Sequence, residues 1–152
     1  MTFSAYSVSA YSSEGKGYPP TENIKKTLKV LGFEKPWASM SSGEKQIIEN
    51  GEIWLRNNDY FAVLGVSDAD EHRMHISLMN NLSTCAKLGM AITGESSSIV
   101  FKKFGSLTKN ALNEPEQQMR SGKAPFYFHV LVTELLAEKT LMQCGVSASL
   151  TN

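Results

Sequence analysis

The sequence predicts a single α+β domain, in which helices pack on an antiparallel β-meander and a late buried strand precedes a C-terminal helix. Three observations carry this. An apolar stripe at helical spacing, Ile24, Leu28 and Leu31, follows Pro19-Pro20. Short β-branched and aromatic runs, separated by turns rich in Asn and Asp, fill much of residues 51–79. The run "FYFHVLVT", Phe126 to Thr133, is apolar on both alternating faces, as a strand covered on both sides requires. A chain of 152 residues suits one domain and buries about two thirds of its unfolded surface, so neither metal nor disulfide is needed to hold it.

Residues 1–20 read as a loose N-terminal arm, residues 21–145 as the domain and 146–152 as a frayed tail. In the first helix Thr21 is the expected N-cap and Gly32 the stop, with Phe33 folding back on Leu28. Ser41 and Glu44 have capping-box spacing, which predicts a short helix to about Asn50. Ile53–Arg56 and Tyr60–Val66 read as strands joined by Asn57-Asn58-Asp59. Arg73–Met79 reads as a third strand, because Asn80-Asn81 interrupts the alternative, a longer helix through Met74, Leu78, Leu82 and Cys85.

Leu82–Met90 is then a short helix and Ile99–Leu112 a longer one, with Val100, Phe104, Leu107 and Ala111 on one face. Pro115 breaks it, a helical turn runs through Met119, and Ser121-Gly122 is a loop. After the strand at 126–133, Thr133 caps a final helix carrying Leu136, Ala137 and Leu141, stopped by Gly145.

The formal net charge is zero, which argues against general attraction to nucleic acid or an anionic membrane. The charge is uneven: residues 51–100 lean acidic and Lys102–Lys109 lean basic. Two cysteines without a CxxC motif, Cys85 and Cys144, read as reduced, partly buried thiols. The N-terminus has no signal-peptide pattern and no apolar run approaches the ~20 residues of a membrane span. Together these place the protein in the cytoplasm.

His75 in "HISL" and His129 in "FHVL" lie in apolar alternating runs. Across one cleft, two imidazoles could serve as base and acid on a phosphate ester, with Ser77 holding it. "HISL" resembles the motif of the two-histidine phosphoesterases, His-x-Thr/Ser. The second copy fails, because Leu131 stands at its hydroxyl position. A core or edge histidine in each strand is the preferred reading, and no catalytic residue is assigned. "SMSSGEKQII" resembles the signature loop of ATP-binding cassette proteins, but no phosphate-binding GxxxxGK[ST] loop accompanies it.

The acidic turn Asp68, Asp70 and Glu71 lacks calcium-loop spacing; with His72 it could hold a metal, but a charged hairpin turn is the preferred reading, and no metal or cofactor is expected. Partner-binding candidates are Trp37 in its loop, the acidic turn Asp68, Asp70 and Glu71, and Lys102 and Lys103 on a helix. Trp54 reads as a core anchor.

The stretch "ENGEIWLRNNDYFAVLGVSDADEHRMHISLM" resembles the strand meander of type III secretion chaperones, although the helix expected at 41–50 departs from that family's order. The resemblance is one of fold alone; a small, single-domain, charge-balanced α+β chain with uneven surface charge suits a non-enzymatic, protein-binding module of the inhibitor, immunity-protein or secretion-chaperone kind. Its partner would be another protein, met at the acidic 51–71 region or at a sheet edge. A small phosphoesterase or nucleotide-handling enzyme using His75 and His129 is the alternative. A nucleic-acid-associated factor using Lys102, Lys103 and Lys109 is a second. Nucleic acid is the less expected partner, no membrane is, and a homodimer through edge pairing is open.

Overall fold

The computed structural model describes residues 17–135 and 139–150. In chain order these form α1 (Thr21–Val30), β1 (Trp37–Met40), β2 (Gly43–Ile48), β3 (Gly51–Arg56), β4 (Asp59–Val66), α2 (Glu71–Thr93), α3 (Ser97–Asn113), β5 (Met119–Lys123), β6 (Phe126–Leu135) and β7 (Lys139–Ser147). The seven strands make one antiparallel sheet in the order β1-β2-β3-β4-β7-β6-β5. The first four form a meander. The last three form a second meander, joined to the first where β7 pairs with β4. The α+β class and the single domain hold.

The helices share one core with one face of the sheet. Ile24 and Leu28 of α1, Leu82, Cys85, Leu88 and Ile92 of α2, and Val100, Phe104 and Leu107 of α3 cluster there. They meet Ile53, Leu55, Tyr60, Ala62 and Leu64, then Phe128, Val130, Val132, Met142, Cys144 and Val146. The period-2 alternation of each strand sends the intervening residues to the opposite face.

Helix α1 ends as its sequence suggests. Gly32 has φ 107°, and the Phe33 amide donates to the Leu28 carbonyl at 2.9 Å. Its start differs. Pro20 occupies the N-cap with no side-chain cap, and Thr21 is the first helical residue, its hydroxyl 3.3 Å from that of Tyr60.

The helix expected over 41–50 is a β-hairpin. Ser41-Ser42 connects β1 to β2, and Glu44 accepts from Lys25 at 2.8 Å instead of closing a capping box. Gln46 and Ile48 are buried and Ile47 is 50% exposed between them, the period of a strand. The turn at Asn57-Asn58 and the strands around it form as expected, with Asn58 at φ 61°.

The strand expected at 73–79 is helix, the first part of α2. Asp70 caps it by accepting from the Arg73 amide at 2.8 Å. Asn81 does not interrupt this helix, because tertiary partners use its side chain. It donates to the Gly65 carbonyl at 2.9 Å and accepts from Asn50 at 3.0 Å, tying α2 to β4 and to the β2–β3 turn. The short helix expected at 82–90 is the continuation of the same element. Helix α3 forms on its expected stripe, with Ser96 as its cap.

The expected helical turn through Met119 and the loop at Ser121-Gly122 are the edge strand β5. Strand β6 therefore lies second from the edge, not at the centre of the sheet. The expected C-terminal helix is strand. β6 continues to Leu135, and Lys139–Ser147 forms β7, with Leu141 and Gly145 inside it; Leu136 and Ala137 lie outside the described residues. Met142, Cys144 and Val146 alternate inward at 0% exposure, a strand period that the local sequence also permits to read as helix. Of the expected frayed tail, Val146 and Ser147 end β7 and are buried, while 151–152 lie outside the described residues. Of the expected arm, residues 1–16 also lie outside them.

Cys85 and Cys144 are not free thiols. They form a disulfide between α2 and β7, with Cα atoms 5.9 Å apart and both residues fully buried. Each sits on the inward side of its element, so helix-on-sheet packing brings together two cysteines 59 residues apart in sequence.

Candidate functional site

The two histidines are not brought together. His75 lies on the exposed first half of α2, in the helical layer. His129 belongs to the set of β6 residues that alternates away from the helices, since its neighbours Phe128 and Val130 point into the core. Ser77 is already engaged: its Oγ accepts from the Ser67 amide at 3.0 Å and lies 3.5 Å from the Gly65 carbonyl. The three residues of a phosphoesterase site are thus divided between the two sides of the sheet, and the two-histidine mechanism has no cleft.

His129 instead belongs to a row that crosses the sheet's far face. The register aligns Lys45, Trp54, Phe61, Gly145, His129 and Arg120. Gly145 carries no side chain between Phe61 and His129. The His129 ring spans β7 there, placing Nε2 3.0 Å from Asp59 Oδ1. The Arg56 guanidinium lies 4.9 Å from the Trp54 ring centre and 5.3 Å from that of Phe61, and Lys45 lies 5.3 Å from Trp54. Trp54, expected in the core, is on this face, its indole N–H donating to Glu52 at 2.9 Å.

The expected partner-binding residues are scattered. Trp37 is half-buried on edge strand β1 and packs against the core. Lys103 pairs with Glu95 at 3.2 Å and lies 4.8 Å from the Phe128 ring centre. Lys102 is exposed on α3. Asp68, Asp70 and Glu71 stay together at the start of α2. Asp70 caps the helix, Asp68 accepts from Thr140 at 3.4 Å, and Glu71 is exposed in the first turn.

Beside that acidic start lies a groove of ≈ 1140 Å³. One wall is α2, with Arg73, Ile76, Asn80 and Lys87. The other is the α1–β1 connection, with Phe33 and Lys35, and the floor is Gln46–Asn50 of β2 and its turn. The groove exists because β1 stops early. Its ladder with β2 ends at Trp37–Gln46, and Pro36 then turns the chain away towards α1. Along β2, Gly43, Lys45 and Ile47 direct their backbone groups to the β1 side. Pro36 has no N–H, so the Ile47 carbonyl has no ladder donor.

Gln46 is 1% exposed on the floor, and its Nε2 donates to the Lys35 carbonyl at 2.6 Å and the Phe33 carbonyl at 3.3 Å. That fixes the amide, and its Oε1 is a buried acceptor without a partner among the described residues. Ile76 on the wall is 45% exposed, whereas Ile47 alternates to the opposite face of the sheet and gives the groove only its backbone. Reading the sequence did not single out Gln46, Ile76 or Lys87. The only local signal was Pro36 next to Trp37, which marks where an edge strand must stop.

Among the described residues no group of three His, Cys, Asp or Glu could hold a metal ion, and no helix is long and apolar enough to cross a membrane. Compared with known proteins, the chain matches no family model, no curated sequence and no solved structure.

Proposed function

We propose that this chain is a non-enzymatic protein-binding module whose partner enters the groove between β2, the α1–β1 connection and α2. The observation that carries the reading is the groove itself, a concave site with Ile76 exposed on its α2 wall and Phe33 lining the other, beside the charged start of α2. His75, Ser77 and His129 serve separate elements, which leaves the two-histidine alternative without a shared site. The acidic residues Asp68, Asp70 and Glu71 then form a rim that orients the partner, and rim charges act on the rate of encounter more than on final affinity.

The test is site-specific photo-crosslinking in the native cell, with a photoreactive phenylalanine analogue at Ile76 or, as the control, at Lys102. A single stoichiometric protein adduct from Ile76 and none from Lys102 is the expected result. Adducts from Lys102 alone, or from neither position, would overturn the reading. An adduct of the chain with itself would replace it with a homodimer.

A cytoplasmic location remains part of this proposal, but the Cys85–Cys144 bond removes the free-thiol argument for it, because disulfides persist mainly in oxidising compartments. Native cells broken directly into denaturant with an alkylating agent decide: two blocked thiols mean the bond is not kept there, and none means an oxidising compartment.

A further inference from the structure

We infer that the groove takes an extended peptide segment of its partner, one that offers backbone N–H groups to the floor and carboxylates to the walls. The inference rests on the groove being the partner site and adds the chemistry of what fills it. Its first support is the floor. Gln46 Oε1 is a buried acceptor, held in a fixed direction by the two carbonyls that bind its Nε2. Beside it the Ile47 carbonyl faces the side that Pro36 leaves without a donor. An edge carbonyl without a ladder donor matches an N–H group of an extended backbone, and the fixed, buried Gln46 side chain backs the floor behind it.

The second support is the shape. The vacant space continues the line of β1, so a strand lying there would extend the edge that the native chain abandons at Trp37. A second copy of this chain fits poorly, because two concave edges cannot enter each other. The third is charge. Lys35, Arg73 and Lys87 line the groove against Glu34 and Glu49. Arg73 is shared with Asp70 at 3.6 Å, whereas Lys35 and Lys87 have no carboxylate partner among the described residues. Lys87 lies 5.8 Å from the Phe33 ring centre, which holds it over the groove. Apolar side chains of the peptide, every second residue, would meet Phe33 and Ile76, with acidic ones between them.

The opposite end of the sheet shows the contrast. Beyond β5 the edge of β6 is plugged by Glu116, whose amide donates to the Val132 carbonyl at 2.8 Å and whose carboxylate accepts from the Glu134 amide at 2.9 Å. There the stretch of β6 that β5 leaves uncovered is closed by the protein's own backbone and side chain, whereas the stretch of β2 that β1 leaves uncovered opens into a groove.

The probe is a fluorescently labelled, end-capped heptapeptide of alternating Glu and Val, titrated with the full chain by anisotropy. Three comparisons accompany it: the Lys-Val counterpart, the Glu-Val peptide N-methylated at alternate amides in either phase, and the Lys87→Glu protein. Saturable binding of the Glu-Val peptide is expected, weakened about tenfold by N-methylation in one phase only, by the lysine counterpart and by Lys87→Glu. N-methylation leaves the protein untouched, so its effect owes nothing to misfolding. Equal binding of all N-methylated forms, equal or tighter binding of the lysine peptide, or no binding of any peptide would overturn the inference. If the crosslink from Ile76 to a natural partner survives such a result, the groove remains the partner site and only the extended acidic peptide is lost. If the crosslink fails as well, both fall.

Discussion

Asp59 and His129 belong to strands that do not touch, and their side chains meet only because Gly145 leaves the intervening strand bare. His129 is 3% exposed and its Nδ1 has no partner among the described residues. Its burial and its bond to Asp59 predict a structural role. His129→Ala should lower the unfolding free energy by about 1–3 kcal/mol, read as a shift in urea midpoint, while the crosslink from Ile76 on the other side of the sheet is unchanged. Loss of that crosslink in a folded His129→Ala protein would contradict the assignment. Tyr18 makes a pH prediction. Burial pushes its phenol well above the ordinary tyrosine range, while a hydrogen bond from the Tyr60 amide opposes this and the nearby Tyr60 and Asp59 add to it. A raised acid favours folding only while it stays protonated. The contribution is full below the unfolded value near 10 and is lost above it, at up to about 1.4 kcal/mol per pH unit. Urea midpoints should thus fall steeply from pH 10 to 11, and Tyr18→Phe should flatten that fall while costing stability at pH 7, where Tyr60 N–H and the Val146 carbonyl lose their shared hydroxyl.

At the scale of elements, the signals that failed were those whose side chains found distant partners. The Ser41–Glu44 spacing suits a capping box, but Glu44 pairs with Lys25 of α1. Asn81 looks like a helix breaker, but Gly65 and Asn50 satisfy it. The caps that do operate, Asp70 and Ser96, bond within three residues and were open to reading from sequence. Glu116 belongs to the same scale. If it closes the β6 edge, Glu116→Ala should keep the fold within about 1 kcal/mol of wild type yet raise self-association with concentration, because unpaired edges recruit strands. Sedimentation velocity over a concentration series checks this; a monomer at all concentrations would remove the role.

For the molecule as a whole, the disulfide links the helical layer to β7 across 59 residues of sequence. Constraining a loop of that length in the unfolded chain is worth about 2–4 kcal/mol. The Cys85→Ala/Cys144→Ala protein should unfold at a lower urea concentration by that amount, and wild type should match it only when a reductant is present during unfolding, since both sulfurs are buried. Equal midpoints for the two proteins under oxidising conditions would show that the bond does not form. The groove is also a property of the whole. Its floor, walls and rim come from β2, the α1–β1 connection and α2, which only the assembled sheet and helices bring side by side.

What the sequence by itself determined was local: the apolar stripes of α1 and α3, the Gly32 ending, the hairpin at Asn57-Asn58 and the α+β class, each set by side-chain period and by turn residues a few positions apart. Tertiary structure decided the rest. It made strands of 37–48 and 139–147 and helix of 73–79, because short amphipathic runs satisfy either period until a partner surface selects one. It paired the cysteines, separated the histidines and opened the groove beside Pro36, because distances between elements are set by long-range register and packing, which no window of sequence contains.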